Sequence, residues 1–163
     1  MAKRELTITR TFDAPREKVW LAWTDPRQLQ EWWAPRGFTN PTVEIDARVG
    51  GKLYIVMQAG DNMGPMSGMK APMRGEFTEV VAPDPSNSSG QAKLVFSNNA
   101  LDEAGNVLLS GETSVTFEDV GGKTKMTVRT SAEGTGPMTD AMLAGMEQGW
   151  NEQCDKLGEF LQK

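Results

Sequence analysis

Apolar positions follow two different periods in the first part of the chain. Residues 5–12, ELTITRTF, alternate apolar and polar side chains and predict a strand with one covered face. Two runs at helical spacing follow, and each begins with an aspartate and a proline, at residues 13–15 and 25–26. These residues favour the first turn of a helix. We therefore predict two short helices, the second ending before Pro35.

The helical period disappears between Thr42 and Ser131. Short segments of alternating apolar and polar side chains replace it, separated by turn residues such as glycine and proline, as expected for antiparallel strands. Six strands are predicted here, centred on residues 43–45, 53–57, 73–81, 94–96, 109–117 and 126–128.

The C-terminal segment returns to a period near 3.6 residues and predicts one long helix. Its broad apolar face consists of Met138, Met142, Met146, Trp150, Leu157 and Leu161. Gly145 and Gly149 interrupt this face, and each weakens a helix by about 0.5–1 kcal/mol relative to alanine. The surroundings of the helix must therefore tolerate or need these glycines.

Each of these elements has to bury its apolar face against another element. The sequence therefore predicts an α+β fold, with a twisted seven-stranded antiparallel sheet, two short helices and one long C-terminal helix. A chain of 163 residues is long enough to form this as a single domain, 1–163. Since one helix cannot fill the concave side of a strongly twisted sheet, we expect a cavity between them.

Composition narrows the chemistry that such a cavity can support. The chain has a formal net charge of -5 at pH 7 and contains no histidine. The negative charge disfavours a nucleic acid partner, and the missing histidine excludes histidine-dependent hydrolysis and histidine-ligated metals. Cys154 is the only cysteine, so it cannot form an internal disulfide or a cysteine cluster for a metal. We expect no metal, no cofactor and no bound nucleic acid.

The cellular location is predicted from two sequence features, the N-terminal residues and the length of the apolar runs. The first residues, MAKRELTITRTF, contain no apolar stretch typical of a signal peptide, and no run of about 18 apolar residues occurs in the chain. We expect a cytoplasmic protein, monomeric or weakly dimeric, that does not insert into a membrane.

The inward positions of the sheet and the terminal helix are the candidate ligand contacts. The chain contains 10 methionines, whose flexible side chains suit apolar ligands of variable shape. Gly145 and Gly149 leave room on the helix side, although the same absence of side chains would also allow a closed core. The predicted ligand-binding residues are Met57, Phe96, Val115, Phe117, Met126, Val128, Met142, Met146 and Trp150.

A loop at residues 60–72 is a candidate lid over this cavity. Its methionines, Met63, Met66 and Met69, are separated by glycine, proline and serine. Such a loop cannot bury itself efficiently, but it can cover an apolar opening transiently. We predict that it acts as a mobile lid.

Four stretches of the sequence resemble a known family. They are FDAPREKVWLAWTDPRQLQEWWAP, DARVGGKLYIVM, GEFTEV and GWNEQCDKLGEFL, and they extend over essentially the whole chain. In them the chain is similar to the bacterial homologues of the activator of heat-shock-protein-90 ATPase, within the START-like (SRPBCC) superfamily. This resemblance implies a helix-grip fold and, across the superfamily, binding of lipids, hormones, polyketides and other apolar molecules. The loop at residues 60–72 departs from the family pattern because it is longer and richer in methionine and glycine.

Three functions follow from the cavity and the resemblance. The first is binding or carriage of a small hydrophobic ligand. The second, which the family name implies, is interaction with a heat-shock-protein-90-type chaperone whose ATPase the protein would modulate in a stress response. The third is a cyclase- or hydrolase-type enzyme using the same cavity.

No catalytic residue is assigned by the sequence. The ionisable candidates form no recognisable constellation, and alternation places Glu112 and Arg129 on the solvent-facing side of the sheet. Cys154 has no histidine to activate it. We therefore predict a binding protein rather than an enzyme. The other ionisable candidates considered are Tyr54, Arg74 and Glu76.

Overall fold

The computed structural model describes residues 2–61, 64–84, 86, 90–134, 136 and 139–162. The helices are α1 (Arg16–Thr24), α2 (Pro26–Trp32), α3 (Thr139–Ala144) and α4 (Met146–Leu161). The strands are β1 (Ala2–Phe12), β2 (Phe38–Ile45), β3 (Lys52–Ala59), β4 (Lys70–Val81), β5 (Ala92–Ser97), β6 (Asn99–Leu101), β7 (Val107–Val120) and β8 (Lys123–Gly134).

The strands form one antiparallel sheet in the order β1-β8-β7-β5-β4-β3-β2. From β2 to β5 consecutive strands are neighbours, and β7 pairs with β8, whereas β1 joins the sheet through β8 at the opposite end of the sequence. Helices α1 and α2 connect β1 to β2, and α4 packs against both helices and β1. The predicted α+β fold, with an antiparallel sheet, short helices and a C-terminal helix, is confirmed.

The sheet contains a short strand that the sequence did not predict. Strand β6 lies between β4 and β7, in the same position across the sheet as β5, and Asn98 separates the two. The backbones are too close at this break for side chains. A Cβ on Gly75 would lie 1.7 Å from the carbonyl oxygen of Ser97, and one on Gly111 would lie 2.9 Å from that of Asn98. Glycines inside strands therefore mark the interruption.

The predicted long C-terminal helix is divided into α3 and α4. Gly145 separates them with a φ of -86° and a ψ of -7°, and its N–H donates to the carbonyl oxygen of Ala141 at 3.2 Å. The division coincides with the first of the two glycines. Glycine has the lowest helix propensity of all residues except proline. Met138, with which the predicted helix began, lies outside the described residues.

Aromatic rings dominate the closed core on one side of the Asn98 break. The Trp23 ring contacts those of Trp32 and Phe117, with centroids 4.9 Å and 6.5 Å away. The Trp32 Nε1–H donates to the carbonyl oxygen of Ala22 at 2.9 Å, so the polar end of a fully buried ring is satisfied. The core is completed by Val19, Leu29, Leu53, Ile55, Phe77, Leu94, Phe96, Val115, Met126, Val128, Leu157 and Leu161.

Ion pairs at the surface hold α4 in place, and Arg4 of β1 contributes one of them with Glu147 at 3.4 Å. Arg10 of β1 bonds the carboxylate of Asp155 at 2.6 Å and the amide oxygen of Asn151 at 3.0 Å. Arg36, which follows α2, pairs with Glu159, and this hydrogen bond lowers the pKa of the Glu159 carboxyl. Exposed pairs stabilise a fold little, so their main effect here is to position the helix.

None of the helices in the described part of the chain has the length and apolar character needed to cross a membrane.

Candidate functional site

An apolar cavity of about 420 Å³ lies on the other side of the Asn98 break from the closed core. Its helical wall comes from α3 and the first half of α4, and its sheet wall comes from the ends of β3, β4, β7 and β8. The residues that line it are Trp33, Pro35, Phe38, Met57, Met69, Ala71, Met73, Asn98, Leu109, Thr130, Ala132, Ala141, Met142, Gly145, Met146, Gly149, Trp150 and Gln153.

On the helical wall of the cavity, large side chains alternate with glycines. Met142 of α3 and Met146 and Trp150 of α4 follow one another at intervals of four residues, and all three border the cavity. Gly145 and Gly149 lie between them. A Cβ on Gly149 would be 3.4 Å from Cγ of Pro35, whereas a Cβ on Gly145 would meet nothing closer than 3.8 Å. Gly149 thus brings the helix close to Pro35, while Gly145 leaves room in the wall.

The end wall of the cavity is a constrained turn after α2. Ala34 has a φ of 82°, in the left-handed region that an alanine rarely adopts. Its N–H donates to Oε1 of Gln153 at 3.0 Å, and its carbonyl oxygen accepts from Nζ of Lys156 at 3.1 Å. The Trp33 ring meets the Trp150 ring edge-on at 5.6 Å. Side chains of α4 therefore hold this turn in a conformation that costs free energy.

Polar groups at the cavity are few and uncharged. Its lining contains no aspartate, glutamate, lysine or arginine among the residues that the structure describes. The hydroxyl of Thr113 donates to Oδ1 of Asn98 at 2.9 Å and contacts the hydroxyl of Thr130 at 2.8 Å. Gln153 is 5% exposed, and its Nε2 has no hydrogen-bond acceptor among the described residues. Lys156 lies beyond the turn, where burial lowers its pKa.

Four of the nine predicted ligand-binding residues border this cavity. They are Met57, Met142, Met146 and Trp150. The other five, Phe96, Val115, Phe117, Met126 and Val128, lie in the closed core with at most 3% of their surface exposed. The expectation of one continuous enclosure is therefore corrected. The sheet is divided at Asn98, and only the inward positions beyond that break border the cavity.

The predicted lid is shorter than expected. Strand β4 begins at Lys70, so residues 70–72 belong to the sheet rather than to a loop. Met69 is 54% exposed and borders the cavity. Met66 lies in a one-turn 3-10 helix, Gly64–Met66, and Met63 lies outside the described residues. The mobility of this segment stays a prediction.

The ionisable candidates lie away from the cavity. Glu76 pairs with Lys52 on the neighbouring strand, and the Arg74 guanidinium lies 5.6 Å from the centroid of the Tyr54 ring. Glu112 and Arg129 are both exposed, as alternation predicted. None of these five side chains borders the cavity.

Cys154 is buried in the closed core, and this burial raises the pKa of its thiol to about 11. The thiolate is the reactive form, so at about pH 8 the thiol should be about a hundredfold less reactive than a solvated one. We expect Ellman's reagent to modify the native protein at least about a hundredfold more slowly than the guanidinium-unfolded protein. Similar rates in the two states would show that the thiol is accessible.

Sequence reasoning missed most of the polar and sheet-end residues of the site. Asn98 and Thr130 follow segments whose apolar and polar residues alternate regularly, as in an unbroken strand. Only Gly75 and Gly111 indicated that the sheet is interrupted near them. Gln153 could have been found, because it follows Trp150 by three residues and so continues the same helix face.

Comparisons with known proteins agree with this architecture. The model of the family described as "Activator of Hsp90 ATPase homolog 1-like protein" matches residues 13–162. A solution structure from Arthrobacter aurescens is 31% identical, with a TM-score of 0.78, covering 97% of this chain and 86% of that chain. None of the curated proteins matches the sequence significantly.

Two crystal structures share the fold at lower identity. A protein from Chromobacterium violaceum is 22% identical with a TM-score of 0.76, covering 98% of this chain and 97% of that chain. A protein from Silicibacter pomeroyi, described as AHSA1, is 23% identical with a TM-score of 0.68, covering 97% of each chain. At this level of identity the likeness concerns the fold alone.

Proposed function

The chain belongs to the Activator of Hsp90 ATPase homolog 1-like family, and from this premise and the shape of its cavity we propose that it binds a small hydrophobic molecule. The observation that carries the proposal is the apolar cavity of about 420 Å³ between α4 and the sheet. Ligand sites in proteins are concave, largely apolar and of about 300–1,000 Å³, with a few polar groups that orient the ligand. This cavity has that size and composition.

The volume indicates the size of molecule that fits. A cavity of about 150 Å³ is enough for one benzene molecule, so about 420 Å³ has room for a compact molecule of about two to three rings. The walls suit such a ligand because Met57, Met73, Met142 and Met146 can change rotamer to fit different outlines. Burial of apolar surface would supply most of the binding free energy.

Met146→Lys should weaken the binding of an uncharged apolar probe, such as N-phenyl-naphthylamine, by at least about tenfold. The substitution places an ammonium group on the cavity wall, where removal from water disfavours it. The measurement is a fluorescence titration of each purified variant, after its thermal unfolding has shown that it is folded.

Gln148→Lys is the matched control, because Gln148 is exposed on the same helix and the substitution adds the same charge. It should bind the probe as the unmodified protein does. Equal affinities of the two folded variants would contradict a binding site between α4 and the sheet.

The family match supports a second candidate function, modulation of a heat-shock-protein-90-type ATPase. The description of the family names such an activator. The discriminating experiment is the ATPase rate of the purified chaperone with and without this protein. Stimulation that persists in the Met146→Lys variant would show that this activity does not depend on the cavity.

We do not propose an enzyme, because no ionisable side chain in the described part of the chain borders the cavity.

A further inference from the structure

Gln153 contributes a buried hydrogen-bond donor without a partner to the part of the cavity wall that the structure describes. Gln153 borders the cavity with only 5% of its surface exposed. Its Oε1 accepts the N–H of Ala34 at 3.0 Å, whereas its Nε2 has no acceptor among the described residues. A buried amide donor without a partner lowers stability, so native structures rarely retain one that nothing satisfies.

The orientation of this amide is determined by its surroundings. The backbone N–H of Ala34 is a donor, so the atom that faces it must be the amide oxygen of Gln153. Reversal of the amide would bring two donors together. The position of Ala34 is itself constrained, since Lys156 binds its carbonyl oxygen and its φ of 82° departs from ordinary strand or helix values. Nε2 is therefore the polar atom of Gln153 without a partner, and because it has almost no accessible surface, a ligand reaches it only after flexible methionines of the wall change rotamer.

The two threonine hydroxyls beside the wall and the amide oxygen of Asn98 bond to each other. Thr113 has one hydroxyl hydrogen, which it donates to Oδ1 of Asn98, so the contact with Thr130 requires Thr130 to donate to Thr113. No charged side chain borders the cavity in the part of the chain that the structure describes. A charged ligand would lose its hydration here without gaining an ion pair, which is strongly unfavourable.

We infer that the ligand is an uncharged, largely apolar molecule whose carbonyl-type oxygen accepts a hydrogen bond from Nε2 of Gln153. Ketones, aldehydes, esters and amides share this chemistry. The inference rests on the proposed binding function and adds the polar group that the ligand carries. Gln153 is then a specificity-determining residue, because a ligand without an acceptor leaves the buried donor unpaired.

Tetralone and tetralin are suitable probes because they share a two-ring skeleton and differ only by a carbonyl group. Their affinities are measured by displacement of N-phenyl-naphthylamine. The affinity of tetralone relative to tetralin should fall by about tenfold in Gln153→Met, which has similar length but no amide. Gln148→Met, on the exposed face of the same helix, should leave this ratio unchanged.

A second measurement does not depend on the stability of a variant. In the unmodified protein, the side-chain amide protons of Gln153 should shift downfield and exchange more slowly when tetralone is added, but not with tetralin. An unchanged affinity ratio in folded Gln153→Met, or an equal response of these protons to both probes, would overturn the inference and leave the binding function standing. Tighter binding of a tetralin carboxylate than of tetralone would overturn the inference that the ligand is uncharged. If the fluorescent probe binds but neither tetralin nor tetralone displaces it, the inference fails alone, whereas failure of the probe itself to bind would overturn the proposed function as well.

Discussion

Trp32→Ala is expected to lower the free energy of unfolding by roughly 3–5 kcal/mol. The Trp32 ring is fully buried and packs edge-on against Trp23 and Trp33, with centroids 4.9 Å and 5.7 Å away. Truncation leaves a large void and also removes the Nε1–H that satisfies the carbonyl oxygen of Ala22. Urea unfolding followed by circular dichroism measures the loss.

Trp20→Ala is the matched control for this prediction. Trp20 lies on the neighbouring helix α1 and is partly exposed, with one ring contact to Phe117 at 5.6 Å. Its truncation removes less buried surface and should cost clearly less stability. Wild-type stability of Trp32→Ala, or equal losses in both variants, would contradict the assignment of Trp32 to the closed core.

Gly75→Ala is expected to destabilise the protein by about 3 kcal/mol, the upper end of what overpacking usually costs. The new Cβ would lie 1.7 Å from the carbonyl oxygen of Ser97, and this obstacle is backbone, which cannot move aside as a side chain can. Strands β4 and β5 would have to separate at the Asn98 break. Thermal and urea unfolding of the variant measure the effect.

Gly145→Ala provides the comparison. Its added Cβ would meet no atom closer than 3.8 Å, and its φ of -86° suits any residue. This variant should keep the stability of the unmodified protein or gain slightly, because alanine favours helix more than glycine does. A Gly75→Ala variant as stable as Gly145→Ala would show that the sheet break does not require glycine.

The order of elements could be predicted from the sequence because each element carries a local signal. Residues 5–12 alternate apolar and polar side chains apart from Arg10, and Asp25, whose side chain accepts the N–H of Arg27, caps α2 at its predicted start. Strand β6 could not be predicted, since three residues are too few to show a period. Its existence depends on how closely β4 and β7 approach the chain near Asn98, which is a tertiary property.

The candidate site was predictable on its helical side only. The face formed by Met142, Met146 and Trp150 repeats every four residues and is visible in the sequence. On the sheet side, alternation identifies which residues point inward but not which of them meet open space. Phe117 and Leu109 lie on one strand with the same inward parity, yet Phe117 is in the closed core and Leu109 borders the cavity.

The break in the sheet at Asn98 separates the closed core, which stabilises the fold, from the cavity that is the candidate binding site. The rings of Trp23, Trp32 and Phe117 lie on one side, and the methionines that shape the cavity lie on the other. Substitution of those methionines changes the outline of the cavity while the aromatic core stays intact. A lineage with this architecture can therefore change the shape of its cavity by small steps, each of which leaves a folded protein for selection to act on.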